Sequence, residues 1–215
     1  LRTASSASQN RSFSSVELHQ NPLYPKIANM WRVGGDLSAS NYDMWTNRLD
    51  LATTNEMANL VGPGSFANPD FLEVGYTPRQ PKGPNVQNII ERQSMFTMWA
   101  ALPGPLILSA DIRPNKGGID DLDIINILTN EEIIAINQDK LAKPMRPISK
   151  INGLEIWKKD LYQYDHIAII LFNRNTTTSQ DMTIQWQDLG FNNHLIIEVR
   201  DLWAKQTLGN HTTQF

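Results

Sequence analysis

The sequence predicts two structural classes in one chain, an α/β segment followed by an all-β segment, and two observations carry that reading. Between about residues 12 and 137, strand-like apolar runs alternate with loops and with runs of helical spacing, the signature of repeated βα units. After Gln138 the rhythm changes to short strand candidates separated by Gly, Asn, Asp and Thr. Pro144 and Pro147, set among basic residues, mark the change. The expected division is residues 1–140 for the α/β part and residues 141–215 for the all-β part.

The elements follow in order. The start is rich in Ser, with one alternating run, Ser12-Phe-Ser-Ser-Val-Glu-Leu18, that suits a strand. Pro22 and Pro25 bracket a turn, and residues 24–31 read as a short helix leading to Trp31-Arg-Val-Gly-Gly-Asp36, whose paired glycines mark a strand end or tight turn. Tyr42, Trp45, Leu49, Leu51 and Met57 have the spacing of an amphipathic helix or a pair of them. Residues 62–72 are a loop by composition, residues 86–102 a helix ending at Pro103-Gly-Pro105, and residues 106–111 a buried strand. Residues 119–137 read as one helix, with Asp120 and Asp121 favourable near its start. In the second part, strands are expected at residues 154–158, 166–172, 182–186 and 195–203.

Composition bounds the function. With 215 residues, 40% apolar and 19% charged, the chain is an ordinary globular mixture that can build a core without a metal or disulfide staple. Cysteine is absent, which removes disulfides, Cys-based zinc sites and thiol nucleophiles. A net charge of −3 argues against a nucleic-acid partner recognised through bulk electrostatics. The longest apolar runs, such as His166-Ile-Ala-Ile-Ile-Leu-Phe172, fall far short of the roughly 20 residues a bilayer requires, so no membrane partner is expected. The chain begins with Leu1 and shows no signal-peptide pattern, which reads as a piece of a longer or processed sequence.

Functional groups of an α/β barrel gather at the C-terminal ends of its strands, and Asp36, Asp70 and Asp111 fit that rule. Cleavage of a glycosidic bond needs two facing carboxyls, one of them protonated; a strand-terminal Asp serves equally as a helix cap or ion-pair partner. His19, His166, His194 and His211 lack metal-type spacing, and Asp120-Asp-Leu-Asp123 lacks the glycine and ligand pattern of a calcium loop, so no metal is expected. Gly62-Pro-Gly64 is no phosphate loop, because no Lys-Ser/Thr follows. Most of the six Trp are expected in the core rather than stacked on sugars. Sequons at Asn10, Asn175 and Asn210 favour a glycoprotein on a secretory route.

Five segments, in order, carry a resemblance. Trp31-Arg-Val-Gly-Gly-Asp36 resembles the acid/base segment of glycoside hydrolase family 27, the α-galactosidase and α-N-acetylgalactosaminidase family. Gly62-Pro-Gly-Ser-Phe-Ala-Asn-Pro-Asp-Phe-Leu72 is similar to that family's Gly-Pro-Gly-Gly-Trp-Asn-Asp-Pro-Asp-Met-Leu loop. Trp99-Ala-Ala-Leu-Pro-Gly-Pro-Leu-Ile-Leu-Ser-Ala-Asp-Ile-Arg113 resembles the run into the eighth barrel strand, Ile134-Ala-Ile-Asn-Gln-Asp139 a family hallmark, and Arg200-Asp-Leu-Trp203 a strand of the C-terminal β-domain.

The resemblance implies the second half of a (β/α)8 TIM barrel followed by an antiparallel β-sandwich, incomplete at both ends. It implies retaining hydrolysis of terminal α-galactosides without a cofactor, by a secreted or lysosomal/vacuolar enzyme that forms a homodimer. Asp36 would be the general acid/base, Arg32 and Asp70 would bind or position the sugar and the catalytic groups, and Glu17 would favour a galactose 2-hydroxyl over an N-acetyl group. The family nucleophile, an Asp within Lys-x-Asp on the fourth strand, has no counterpart upstream of Glu17. It would come from a missing N-terminal barrel half or from a chain supplying it, and the 215 residues alone are expected to be inactive and prone to aggregate. Phe66, Ala67 and Asn68 stand where the family carries Trp, Asn and Asp. These departures motivate the alternatives, a non-catalytic sugar-binding or structural subunit, or an α-N-acetylgalactosaminidase.

Overall fold

The computed structural model describes residues 3–4, 22–37, 41–76, 87–111 and 122–215. Three short strands pair in parallel in chain order: β1 (Thr3–Ala4), β2 (Met30–Arg32) and β3 (Phe66–Asn68). The parallel pairing reappears at Leu72, which bridges to Leu108. Residues 106–111, expected as a strand, therefore contribute through that bridge alone, with Leu72 N donating to Ile107 O at 2.8 Å and Ser109 N to Leu72 O at 3.0 Å.

Helices make the crossovers. α1 (Tyr24–Ile27) precedes β2, α2 (Tyr42–Ala52) and α3 (Asn55–Leu60) separate β2 from β3, and α4 (Ile89–Ala101) follows β3. Their starts are set by local chemistry. Asn41 caps α2, Thr54 caps α3, and Asn88 with Glu91 forms a reciprocal capping box on α4. The helix expected over 24–31 ends at Ile27, because Trp31 is already part of β2. The single helix expected over 119–137 is instead two, α5 (Leu122–Leu128) and α6 (Glu131–Asn137). Asn130 is the cause: its Oδ1 accepts from the N–H groups of Glu132 and Ile133 and starts a new helix. The strand expected at residues 12–18 lies outside the described residues, as do Glu17, Asn10, His19, Asp120 and Asp121.

The all-β part holds an antiparallel sheet of β4 (Arg146–Ile151), β5 (Leu154–Asp160) and β6 (Ile167–Asn173), and an antiparallel ribbon of β7 (Ile196–Asp201) and β8 (Gln206–Thr212). Asn152 and Gly153 join β4 to β5 with φ of +51° and +80°, a two-residue turn whose positive φ at both positions suits Asn-Gly. Residues 182–186 do not form the expected strand. Ile184 exchanges backbone bonds with Phe215, and Trp186–Leu189 turns into a 3₁₀ helix.

Alternation along β5 and β6 gives their sheet two buried faces. Trp157, Phe172 and Ile170 join Trp45, Leu49 and Trp99 of the helices in one core that crosses from the α/β part into the sheet. Ile156, Ile167 and Ile169 face a second, smaller core around Ile184, Trp186 and Leu189 that also takes Ile197 and Val199. A half-barrel of parallel strands is thus packed on a β-sandwich. Among the described residues no helix is long and apolar enough to cross a membrane.

Candidate active site

The site grows from the ends of β2 and β3. β2 ends at Arg32, Val33 N donates to Asn68 O at 3.0 Å across to β3, and the chain then turns through Gly34 and Gly35 to Asp36. Arg32 Nη2 donates to Gly35 O at 2.9 Å, to Asp36 Oδ1 at 3.3 Å and to Asp70 Oδ2 at 2.7 Å. One guanidinium therefore joins both candidate carboxylates. Their surroundings are opposite: the Asp36 side chain is 92% exposed and that of Asp70 only 5%.

Asp70 uses both carboxylate oxygens. Oδ2 also accepts from Leu37 N at 2.5 Å, and Oδ1 accepts from Phe71 N at 2.8 Å. Its own N–H donates to Asn68 Oδ1 at 2.9 Å, and its carbonyl accepts from Trp99 Nε1 at 3.1 Å. By holding Arg32 on one side and Leu37 on the other, Asp70 clamps both ends of the turn that presents Asp36. A charged acceptor is suited to that task, because hydrogen bonds to an ionised group are the stronger ones.

The segments around the site that carry the family resemblance have structural duties. Gly104 approaches residues 67–69 so closely that a Cβ there would lie 3.2 Å from Ala67 O and 3.3 Å from Pro69 Cδ. Asn137 Nδ2 donates to Gly104 O at 2.9 Å, and Asp139 accepts from Leu141 N and Tyr162 N. The Ile134–Asp139 motif thus fastens the 103–105 loop beneath the site. Asn68, where the family motif has Asp, keeps an acceptor oxygen on Asp70 N, and Trp31, Trp45, Trp99, Trp157 and Trp186 are buried as expected of core residues.

The other candidates lie elsewhere. Asp111 is exposed at the end of the segment following α4. Asn175 is half-buried after β6 and its Nδ2 donates to Asn152 O at 3.3 Å, whereas Asn210 is exposed on β8. His166, His194 and His211 belong to no metal-holding cluster among the described residues, and Asp123 sits in the first turn of α5. Two contributors had no signal in the sequence, the Leu37 N–H and Arg48, whose Nε donates to Gly35 O at 2.8 Å, and Trp99, which opens the 99–113 segment, was not expected at the site.

Comparison with known proteins places the chain in a family. A family model described as alpha galactosidase A matches residues 9–139, and one described as the alpha galactosidase C-terminal beta sandwich domain matches residues 152–215. Alpha-galactosidase 2 of Arabidopsis thaliana is 34% identical over 182 residues, covering 84% of this chain and 41% of its own length. An alpha-galactosidase of Oryza sativa subsp. japonica is 32% identical over 179 residues, with 83% and 39% covered. Among solved structures, a GH27 β-L-arabinopyranosidase from Geobacillus stearothermophilus aligns with a TM-score of 0.75 at 25% identity, over 90% of this chain and 42% of that one. Alpha-galactosidase I from Mortierella vinacea aligns with a TM-score of 0.73 at 24% identity, over 89% of this chain and 50% of that one. The chain spans between 39% and 41% of the length of these two curated relatives.

Proposed function

The chain belongs to the α-galactosidase family, glycoside hydrolase family 27, and on that premise we propose that the whole protein hydrolyses terminal α-galactosides with retention, using Asp36 as general acid and base. The observation that carries the reading is the Arg32 guanidinium shared by exposed Asp36 and buried Asp70 at the ends of adjacent parallel strands, where barrel enzymes hold their catalytic groups. In the first step the protonated Asp36 carboxyl gives its proton to the glycosidic oxygen as the C1–O bond breaks. A second carboxylate, about 5–5.5 Å from it, takes C1 as a glycosyl ester. In the second step Asp36, now ionised, takes a proton from water as that oxygen attacks C1 and the ester is released.

On this reading the second carboxylate is supplied from outside these 215 residues. Arg32 and Asp70 would orient the sugar and the acid, and Glu17 would set selection at the sugar 2-position by crowding an acetamide. Exposed Asn210 suits a glycan acceptor on a secreted or vacuolar protein.

In the whole protein, Asp36→Asn is expected to slow turnover of p-nitrophenyl α-galactoside by about 10²–10⁴-fold, the size of a general acid's contribution. Undiminished turnover would remove Asp36 from the role. β-L-arabinopyranosides, the substrates named for the Geobacillus relative, are the competing class for the same assay. Ala67 and Asn68, which depart from the family loop, favour a second reading as a sugar binder without catalysis. Galactose binding by calorimetry in the absence of turnover would select it.

A further inference from the structure

The turn that carries Asp36 is held by a second arginine. Gly35 O accepts from Arg32 Nη2 at 2.9 Å and from Arg48 Nε at 2.8 Å, so two guanidinium groups converge on the carbonyl immediately before Asp36. A peptide plane held by two donors fixes the position of the Asp36 Cα and the direction of its N–Cα bond, the base from which the carboxyl is presented.

Arg48 also explains the glycine at position 34. A Cβ there would stand 2.8 Å from Arg48 Cδ and 2.9 Å from Nε, closer than packed atoms approach. With no side chain at 34 the far end of Arg48 lies against the turn, and a Cβ there would force that flexible end to move away from Gly35 O. Arg48 itself is anchored. It lies on α2 between Trp45 and Leu49, which are fully buried in the core, and its Nη1 donates to Asn47 Oδ1 at 2.6 Å. Two residues on, Asp50 accepts from both Nη atoms of Arg174 after β6, at 3.1 and 2.5 Å. The helix that supplies Arg48 is thereby tied to the β-sandwich.

We infer that Arg48, with glycine at 34, is a positioning residue that aims the Asp36 carboxyl at the glycosidic oxygen. The inference rests on the acid/base reading of Asp36. A misaimed acid matters most when the leaving group needs its proton. An alkyl α-galactoside, whose alkoxide is a poor leaving group, depends on protonation at departure, whereas a dinitrophenyl α-galactoside does not.

The test uses the whole protein with both substrates. Arg48→Met keeps the apolar stem and removes the donors; it is expected to lower kcat on the alkyl galactoside by about 10–100-fold, the cost of displacing a catalytic group by an ångström or less. On the dinitrophenyl galactoside the loss in the galactosylation step should stay within a few-fold, and KM should change little. Arg48→Lys should recover part of the loss. Gly34→Ala should show the same leaving-group dependence, and the double variant should lose less than the product of the two single losses, because both act on one turn. Asp36→Asn is run beside them. If Asp36→Asn is disabled on the alkyl substrate but Arg48→Met is not, the positioning role of Arg48 fails alone. If Arg48→Met lowers kcat/KM, which reports the galactosylation step alone, equally on both substrates, the loss does not follow the leaving group and the inference fails. If Asp36→Asn retains full activity on the alkyl substrate, the acid/base reading fails and takes this inference with it.

Discussion

Asp70 has a backbone φ of +103°, a region that favours glycine and costs a side-chain-bearing residue about 1–3 kcal/mol. The residue is held there by the Trp99 indole on its carbonyl and Asn68 on its N–H, and in return a buried carboxylate meets Arg32, Leu37 N and Phe71 N. The backbone cost is borne for the carboxylate. Both oxygens face donors, so an amide can satisfy one side only. Asp70→Asn is expected to destabilise by about 1–3 kcal/mol, measured by urea unfolding, and to slow turnover without abolishing it. Loss of stability with turnover intact would separate Asp70 from the presentation of Asp36. The sequence marked Asp36 after its glycine pair and Asp70 after Asn-Pro as candidates, but it carried no sign that one guanidinium joins them.

At the scale of elements, the break between α5 and α6 is the instructive case. Ile124, Ile127, Leu128 and Ile134 would share one face of a continuous helix, so periodicity alone joins the two helices. Asn130 divides them by capping α6 while its Nδ2 donates to Leu202 O at 3.0 Å in the sandwich. Glu132 in the first turn of α6 makes a paired contact with Arg200 of β7, at 2.6 and 2.8 Å, and the Arg200 hydrogen bond holds its carboxyl below the usual range. Asn130→Ala is expected to cost about 1–2 kcal/mol, the usual value of a lost N-cap. Asn130→Asp keeps the cap and loses only the donor to Leu202. It should recover most of the loss in thermal unfolding; an equal loss in both variants would show that the bond to the sandwich, not the cap, carries the stability.

Across the whole molecule, the two parts share one core rather than meeting at a polar surface. Trp157 and Phe172 of the sheet pack with Trp45 of α2 and Trp99 of α4, and charged groups are buried at the same junction. Lys159, fully buried on β5, donates to Lys143 O at 2.8 Å and to Ala101 O at 3.4 Å. Burial pushes its ammonium down to about 8, partly opposed by Asp139, against 10.5 for the free side chain. Between these two values the folded chain binds fewer protons than the unfolded one, so stability rises with pH across the window and is lost as pH falls back through 8. The gain is on the order of 3 kcal/mol. Lys159→Met should flatten that rise when unfolding free energies are compared from pH 7.5 to 10.5. An unchanged slope would show that Lys159 does not titrate in the folded protein.

What the sequence determined by itself was what local windows encode. Alternation and turn chemistry separated a βα region from an all-β region, and Trp31-Arg-Val-Gly-Gly-Asp36 marked one strand end of the candidate site, whereas residues 62–72, read as a loop by composition, hold β3. Tertiary structure alone decided which groups meet there. Arg32 reaches Asp70 across 38 residues, Arg48 reaches Gly35 across 13, and Asn130 reaches Leu202 across 72. Such pairings come from the packing of helices on strands, and no local pattern of apolar and polar residues records them. The glycines at positions 34 and 104 are local traces of that packing, because the folded chain brings Arg48 against one and residues 67–69 against the other.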